Sequence, residues 1–278
     1  MTLGVFLAVL FAAFLHAGWN ALIKLGTSKL TSMLILTLVQ GAIGAAIAAS
    51  RALPQGEVWI WLIGSGVFHS IYKLFLAFAY DNGDLSRVYP IARGAAPLMV
   101  MLIGAVILTD TVEALEYAGI VVLGAGILLM ARGVFRSDES RRLVPLALGS
   151  AMATAGYSLV DGLGARVAGD AVTYVAWLFV FDVSLFLPIC LAMRGTAVLR
   201  ANRRAWVLGS LASLGSYGAY AIAVWAMTQA PIALVTALRE TSILFAVLIG
   251  WTLFDERMDR GKAIAAALIV GGVVLTRL

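Results

Sequence analysis

Long apolar runs alternate with short polar breaks along the whole chain. The runs last about 20 residues and do not alternate every second position, a pattern that predicts membrane-crossing α-helices rather than barrel strands. Ten spans are expected, near 3–24, 30–50, 58–80, 86–108, 114–132, 143–164, 171–193, 205–228, 233–254 and 259–277. Pro54, Pro145 and Pro231 fall at helix edges, where a missing N–H does little harm. The longest polar breaks are Arg132–Arg142 and Arg194–Arg204. The first divides the chain into two five-span halves, 1–137 and 138–278. An odd number of spans per half turns the second half upside-down in the membrane. The expected fold is therefore all-α and integral to the membrane, with ten helices in two inverted-topology repeats around a central cavity.

Self-comparison supports the repeat. At a shift of 146 residues, Ala92-Arg93 and Leu102-Ile103-Gly104 fall on Leu238-Arg239 and Leu248-Ile249-Gly250. Asp110 falls on Glu256, and Gly126 on Gly272. At a shift of 138, Ala17-Gly18-Trp19-Asn20 falls on Ala155-Gly156-Tyr157-Ser158. A buried guanidinium at matching depth in both halves predicts a paired internal site, with Arg93 and Arg239 facing each other across a water-accessible chamber.

Composition narrows the class. Apolar residues make up 62% of the chain and charged residues 13%, against about 25% in soluble domains, and the mean hydropathy is +0.98. The apolar run from Leu3 to Ile23 lacks the basic region of a cleaved signal and reads as a retained span. Cys190 is the only cysteine, so neither an intrachain disulfide nor a multi-cysteine metal site forms, and no metal or cofactor is expected. On one side of the membrane lie Lys24, Lys29, Arg87, Arg132, Arg136, Arg141, Arg142, Arg194, Arg200, Arg203, Arg204, Arg257, Arg260 and Lys262. The other side has Arg51, Arg166 and Arg277. The positive-inside rule then puts both termini outside the cytoplasm, with the protein in the inner (plasma) membrane. These cations lack the aromatic interleaving of a nucleic-acid surface and act as topology signals. The partners expected are a small-molecule substrate and the lipid bilayer.

The other cations, Lys73, Arg93 and Arg239, fall inside spans, where an ionised side chain costs about 2.5–3.5 kcal/mol and must face protein or water. Span 1 carries His16, Trp19 and Asn20, and span 3 carries His69, Tyr72 and Lys73. Span 4 has Tyr89 beside Arg93, and span 6 has Tyr157 and Asp161. Span 7 has Asp182, span 8 has Ser216, Tyr217, Tyr220 and Trp225, and span 9 has Glu240 next to Arg239. As a substrate cavity these residues offer aromatic faces, neutral donors and sparse charges of both signs. Such a wall suits an amphipathic solute with a charged end: Arg or Lys for a carboxylate, and Trp or Tyr for an apolar body or an ammonium. His16, His69, Asp161, Asp182 and Glu240 are the candidate proton carriers. The plainer reading makes the same charges structural ion pairs, or lets the long cations reach the interface. Spans 5 and 10 have uncharged, small-residue interiors suited to close packing between halves or between protomers, so the chain is expected as a monomer or as a homodimer through those spans.

The segment Thr111–Leu129, LFDERMDRGKAIAAALIVGGVVL at Leu253–Leu275, the AGWN of span 1 and YPIARGAAPLMV of span 4 resemble the EamA-type repeat of the drug/metabolite transporter superfamily. The first repeat departs from that pattern, with Thr109-Asp110 where members carry Gly-Glu. The resemblance implies a cavity built from spans 1–4 and 6–9, with spans 5 and 10 outside it. It also implies an exporter of amino acids (aromatic ones among them), of similar metabolites, or of toxic cations, working by alternating access. Exchange of sugar phosphates or nucleotide sugars is the anionic alternative, disfavoured by Glu240. HExxH and Gly-x-Ser-x-Gly are absent, so an intramembrane enzyme is not expected; no phosphate-binding Gly-rich loop exists for ATP.

Overall fold

A computed structural model describes residues 1–24, 29–82, 85–131, 143–253 and 260–278. Within these, the side chains of 24, 29, 77, 80–82, 85–92, 130, 131, 143 and 253 lie outside the description, and Tyr89 with them. The described chain is helical: α1 Leu3–Lys24, α2 Lys29–Ala48, α3 Val58–Asn82, α4 Leu85–Ile107, α5 Ala114–Ala131, α6 Leu143–Ala168, α7 Ala171–Arg194, α8 Arg203–Met227, α9 Ile232–Arg239, α10 Ser242–Leu253 and α11 Arg260–Leu275. A 3-10 turn, Gly195–Leu199, follows α7.

Among the described residues six segments are long and apolar enough to cross a membrane: Leu3–Ile23, Leu30–Ala48, Val58–Leu76, Ala171–Leu199, Arg203–Met227 and Ile232–Thr252. Arg93–Ile107 and Ala114–Leu129 are shorter apolar helices. Leu3, Leu7, Phe11 and Phe14 on α1, and Ile60, Ile63, Val67 and Ile71 on α3, keep apolar faces outward, as a lipid-facing bundle requires.

The ninth expected span is not one helix. It breaks between α9 and α10, where the backbone ladder tightens from i−4 to i−3: Glu240 N donates to Ala237 O, Thr241 N to Leu238 O, and Ile243 N to Glu240 O. The Thr241 hydroxyl also donates to Leu238 O at 2.7 Å, competing with the helical bonds. The break falls on the consecutive polar residues Arg239, Glu240, Thr241 and Ser242.

The two halves interleave. The most extensive packing pairs α3 with α6, α5 with α11, α1 with α8, and α2 with α7, each joining a helix before residue 132 to one after residue 142. The α5–α11 seam explains the small residues of those spans. A Cβ on Gly272 would lie 2.6 Å from Leu123 N and 2.7 Å from Gly119 O, so only glycine lets these backbones meet. The two termini sit together: Arg277 donates to the Met1 carbonyl at 2.9 Å.

Gly272→Ala should therefore lower the stability of the purified protein by about 1–3 kcal/mol, because backbone blocks the new methyl. Gly271→Ala, with nothing within 4 Å of the added carbon, should be neutral or stabilising. Thermal unfolding of the two variants side by side checks the pair.

Candidate functional site

The buried charges of the described residues are Lys73, Arg93 and Arg239 against Asp161, Asp182 and Glu240, with His16 and His69 beside them. All are buried within the helix bundle. They collect into three clusters, and each is closed by a contact between the halves.

The first cluster holds the repeat-related arginines. Arg93, 2% exposed, sits two turns inside α4, with Nη2 2.7 Å from His16 Nε2 on α1. Its Nε lies 3.2 Å from Glu240 Oε2, close enough for charge attraction but not aligned as a hydrogen bond. That oxygen accepts no hydrogen bond from a described residue. Arg239, the last residue of α9, lays its guanidinium carbon 5.1 Å from the centre of the Tyr220 ring. Both arginines lie within electrostatic reach of His16 and Glu240, so the two halves deliver their cations to one place around the α9–α10 break. On α1, Trp19 Nε1 points at His16 Nδ1 at 3.2 Å, and the Asn20 amide donates to His16 O at 2.7 Å.

Lys73 and Asp182 form the second cluster, α3 to α7, with a direct hydrogen bond between Nζ and Oδ2. Lys73 also donates to Thr37 Oγ1 on α2 at 2.7 Å and lies 4.8 Å from the centre of the Phe186 ring. Asp182 Oδ1 accepts nothing from a described residue. Lys73 is thus held in an ion pair within an apolar cluster of Met33, Leu34, Leu76, Phe186 and Cys190.

The third cluster surrounds Asp161, which is fully buried on α6. Its Oδ2 accepts from Tyr220 on α8 and lies 3.1 Å from His69 Nε2 on α3. Its Oδ1 accepts from Tyr174 on α7 at 3.2 Å. Gly164, one turn along α6, makes room for Tyr174: a Cβ there would stand 2.5 Å from its hydroxyl oxygen. The His69 ring stacks on Tyr157 at 4.2 Å and meets Tyr220 edge-on at 5.3 Å. Tyr72 continues the aromatic wall from Tyr157, and Tyr217 packs on Phe179. Tyr72, Tyr217, Ser216 and Asn20 stay half-buried where the charged groups are sealed, while Trp225 is 41% exposed on the outside of the bundle.

Sequence reasoning missed several partners. Gln40 of α2 donates to Ser216 of α8 at 3.0 Å, and the Ser213 hydroxyl reaches Leu36 O at 3.1 Å, two more links between halves. At the face that carries the termini, Arg166 grips Asp110 through both terminal nitrogens, at 2.6 and 3.1 Å, and donates to Met227 O and Ala230 O. Ile232 N donates to the same carboxylate at 2.9 Å, so this knot ties together the ends of α4, α6, α8 and α9. Arg51 and Asp170 pair nearby at 3.1 Å. The Thr173 hydroxyl and the amides of Thr173 and Val172 at the start of α7, with Arg51, hold the Asp170 carboxyl below its usual range, against the opposing effect of burial. Asp110 carried the one usable signal, its register match to Glu256. An apolar groove of about 440 Å3 between α3, α4 and α6, lined by Phe68, Ile71, Phe75, Met99, Leu148 and Met152, takes in no charged side chain.

Removing Asp182 should strand a buried ammonium. Asp182→Ala is expected to destabilise by about 3–5 kcal/mol, and adding Lys73→Met should recover most of that loss, since a buried pair replaced by apolar groups costs little. A double-mutant cycle on unfolding in detergent reads this out.

Comparison with known proteins agrees with the architecture. The EamA-like transporter family model matches the chain twice, over residues 2–132 and 142–278. No curated protein matches. Solved structures share the fold; one, titled only "Crystal structure of protein", is 21% identical over 99% of this chain and 98% of its own, with a TM-score of 0.77. With two copies of the family's repeat covering nearly every residue, the chain belongs to the EamA-like transporter family of the drug/metabolite transporter superfamily and is a multi-pass membrane protein.

Proposed function

We propose that this protein is a secondary transporter of amino acids, aromatic ones among them, or of similar small amphipathic metabolites. It works by alternating access, and export is the direction that the resemblance implies. The observation that carries the reading is the Arg93–Glu240 contact: opposite charges from the two halves, buried at 2% and 1% exposure, with Nε 3.2 Å from Oε2. An amino acid brings the same two charges on one body. Its carboxylate takes the place of Glu240 at Arg93, and its ammonium takes the place of Arg93 at Glu240. The cost of separating the pair is then offset by two charge-assisted bonds to the substrate. Tyr72, Tyr157, Tyr217 and Tyr220 offer the aromatic wall for its side chain. Glu240 among the cations disfavours a multiply charged phosphate.

Inverted repeats of five spans, 1–137 and 138–278, fit the helix pairing. Exchanging the first helix of one half for the first of the other, and so on along each half, turns the α3–α6 pair into α8–α1 and returns α2–α7 and α5–α11 to themselves. The broken ninth span places its polar turn at the arginine cluster, as discontinuous helices do at transport sites. The Asp110–Arg166 knot closes the face of the termini and would have to part for the carrier to open there. The charge asymmetry of the loops favours both termini outside the cytoplasm, in the inner membrane.

Liposomes holding the purified chain and preloaded with phenylalanine should take up labelled phenylalanine by counterflow. Arg93→Gln and Glu240→Gln should each slow that exchange at least about tenfold, the loss of roughly one charge-assisted bond. Exchange blocked by sugar phosphates and indifferent to amino acids would replace this reading with the anionic one. A C-terminal fluorescent reporter that folds only in the cytoplasm should stay dark.

A further inference from the structure

Asp161 raises a question that substrate binding leaves open. Its carboxylate is 0% exposed, yet it meets a histidine rather than a fixed cation. Arginine would have sealed the charge permanently; imidazole is the side chain whose charge changes near neutral pH. The groups facing Asp161 can be named helix by helix. His69 faces it from α3, where Lys73 one turn on is already held by Asp182. Tyr174 faces it from α7 and Tyr220 from α8, while Tyr157 on α6 itself stacks on the His69 ring. Arg239 on α9 lies over the Tyr220 ring. Arg93, the described charge on α4, is turned to His16 and Glu240.

The charge count sharpens the point. Among the described residues three buried cations balance three buried carboxylates when both imidazoles are neutral. In that state no described cation touches Asp161: Lys73 is held by Asp182, Arg93 lies by Glu240, and Arg239 lies beyond the Tyr220 ring. A proton on His69 gives Asp161 a direct counter-ion and adds one positive charge to the buried set. That added charge favours an anion at the neighbouring place where Arg93 and Arg239 gather and a substrate carboxylate would bind. His69 keeps a small exposed edge, at 6%, by which a proton could enter.

We propose that the His69–Asp161 pair, closed by Tyr220 and Tyr174, is a proton-binding site whose occupation favours the substrate carboxylate at Arg93 and Arg239, so that proton and substrate cross together. The inference rests on the amino-acid reading for its substrate but not for its proton. It has a directional consequence: export runs only when the outward amino-acid gradient exceeds the inward proton gradient, as in an overflow valve.

Two measurements test it. The chain has only two histidines, so ring resonances of the full-length protein in micelles can be assigned with His69→Gln. The His69 signal should respond to pH, and its response should change in Asp161→Asn. A flat His69 signal overturns the proposal, whatever the substrate. In liposomes with a pH difference of one unit, labelled phenylalanine should accumulate up to about tenfold on the alkaline side. In Asp161→Asn and His69→Gln the final ratio should fall to one, whatever the rate of approach. Accumulation on the acid side, or an undiminished ratio in both variants, also overturns it. Wild-type protein that exchanges no phenylalanine defeats the substrate reading instead, and the histidine titration still decides the proton site.

Discussion

An ion pair buried in a bilayer cannot be opened into lipid, and that constraint organises this molecule. Each buried carboxylate of the described residues meets a cation or a histidine supplied by the other half: Asp161 with His69, Asp182 with Lys73, Glu240 with Arg93. The neutral links, Gln40 to Ser216 and Ser213 to Leu36, follow the same rule. Neither half pairs its own buried carboxylates with a cation or histidine, so the halves are specified to assemble, and the apolar outer faces are left to the lipid.

The same arrangement sets how the halves could move. A continuous apolar seam would be indifferent to sliding, whereas pairs at several depths resist it with different strengths. The Lys73–Asp182 pair is sealed among apolar residues, where the pivot of the proposed rocking motion would lie. The Arg93 Nε–Glu240 Oε2 contact is not aligned as a hydrogen bond and adjoins the α9–α10 break, where the backbone already departs from regular helix. The Asp110–Arg166 pair sits near the edge, with side-chain exposure of 14% and 28%, so water can take over its hydrogen bonds as it parts. A gradient from dry pivot to wettable edge is what a rocking motion about the middle needs.

Much of this was legible in advance, and the limits of legibility are physical. Span positions follow from hydropathy because the bilayer leaves few alternatives to the helix. The arginine pair stood out because Arg93 and Arg239 occupy matching places at one shift. The choice of partners was not readable: Arg93 meets Glu240 while Asp182 goes to Lys73, and that depends on how inverted halves interleave, which no local pattern encodes. Tyr174 stands one turn into its span with nothing in the sequence to mark it, and the space above Gly164 lets it reach Asp161. The break in the ninth span did have a signal, four polar residues in a row with hydroxyls able to bond back onto the helix. Hydropathy averaged over a whole span hides it.

His16 shows how tightly such a seam couples its parts. Trp19 presents an N–H to Nδ1 at 3.2 Å and Arg93 presents one to Nε2 at 2.7 Å. A neutral imidazole has a single acceptor nitrogen, so the ring can satisfy one donor and must turn its own N–H toward the other. The shorter contact is with the charged donor, which makes Nε2 the acceptor and leaves Trp19 facing the ring N–H. If a substrate carboxylate draws Arg93 away, the proton can shift to Nε2 and Nδ1 becomes free to accept from Trp19. The indole would then be held more firmly with the proposed substrate bound than without it. A phenylalanine or a glutamine at His16 would lose that exchange for different reasons, the first having no acceptor and the second having one oxygen that cannot face both neighbours.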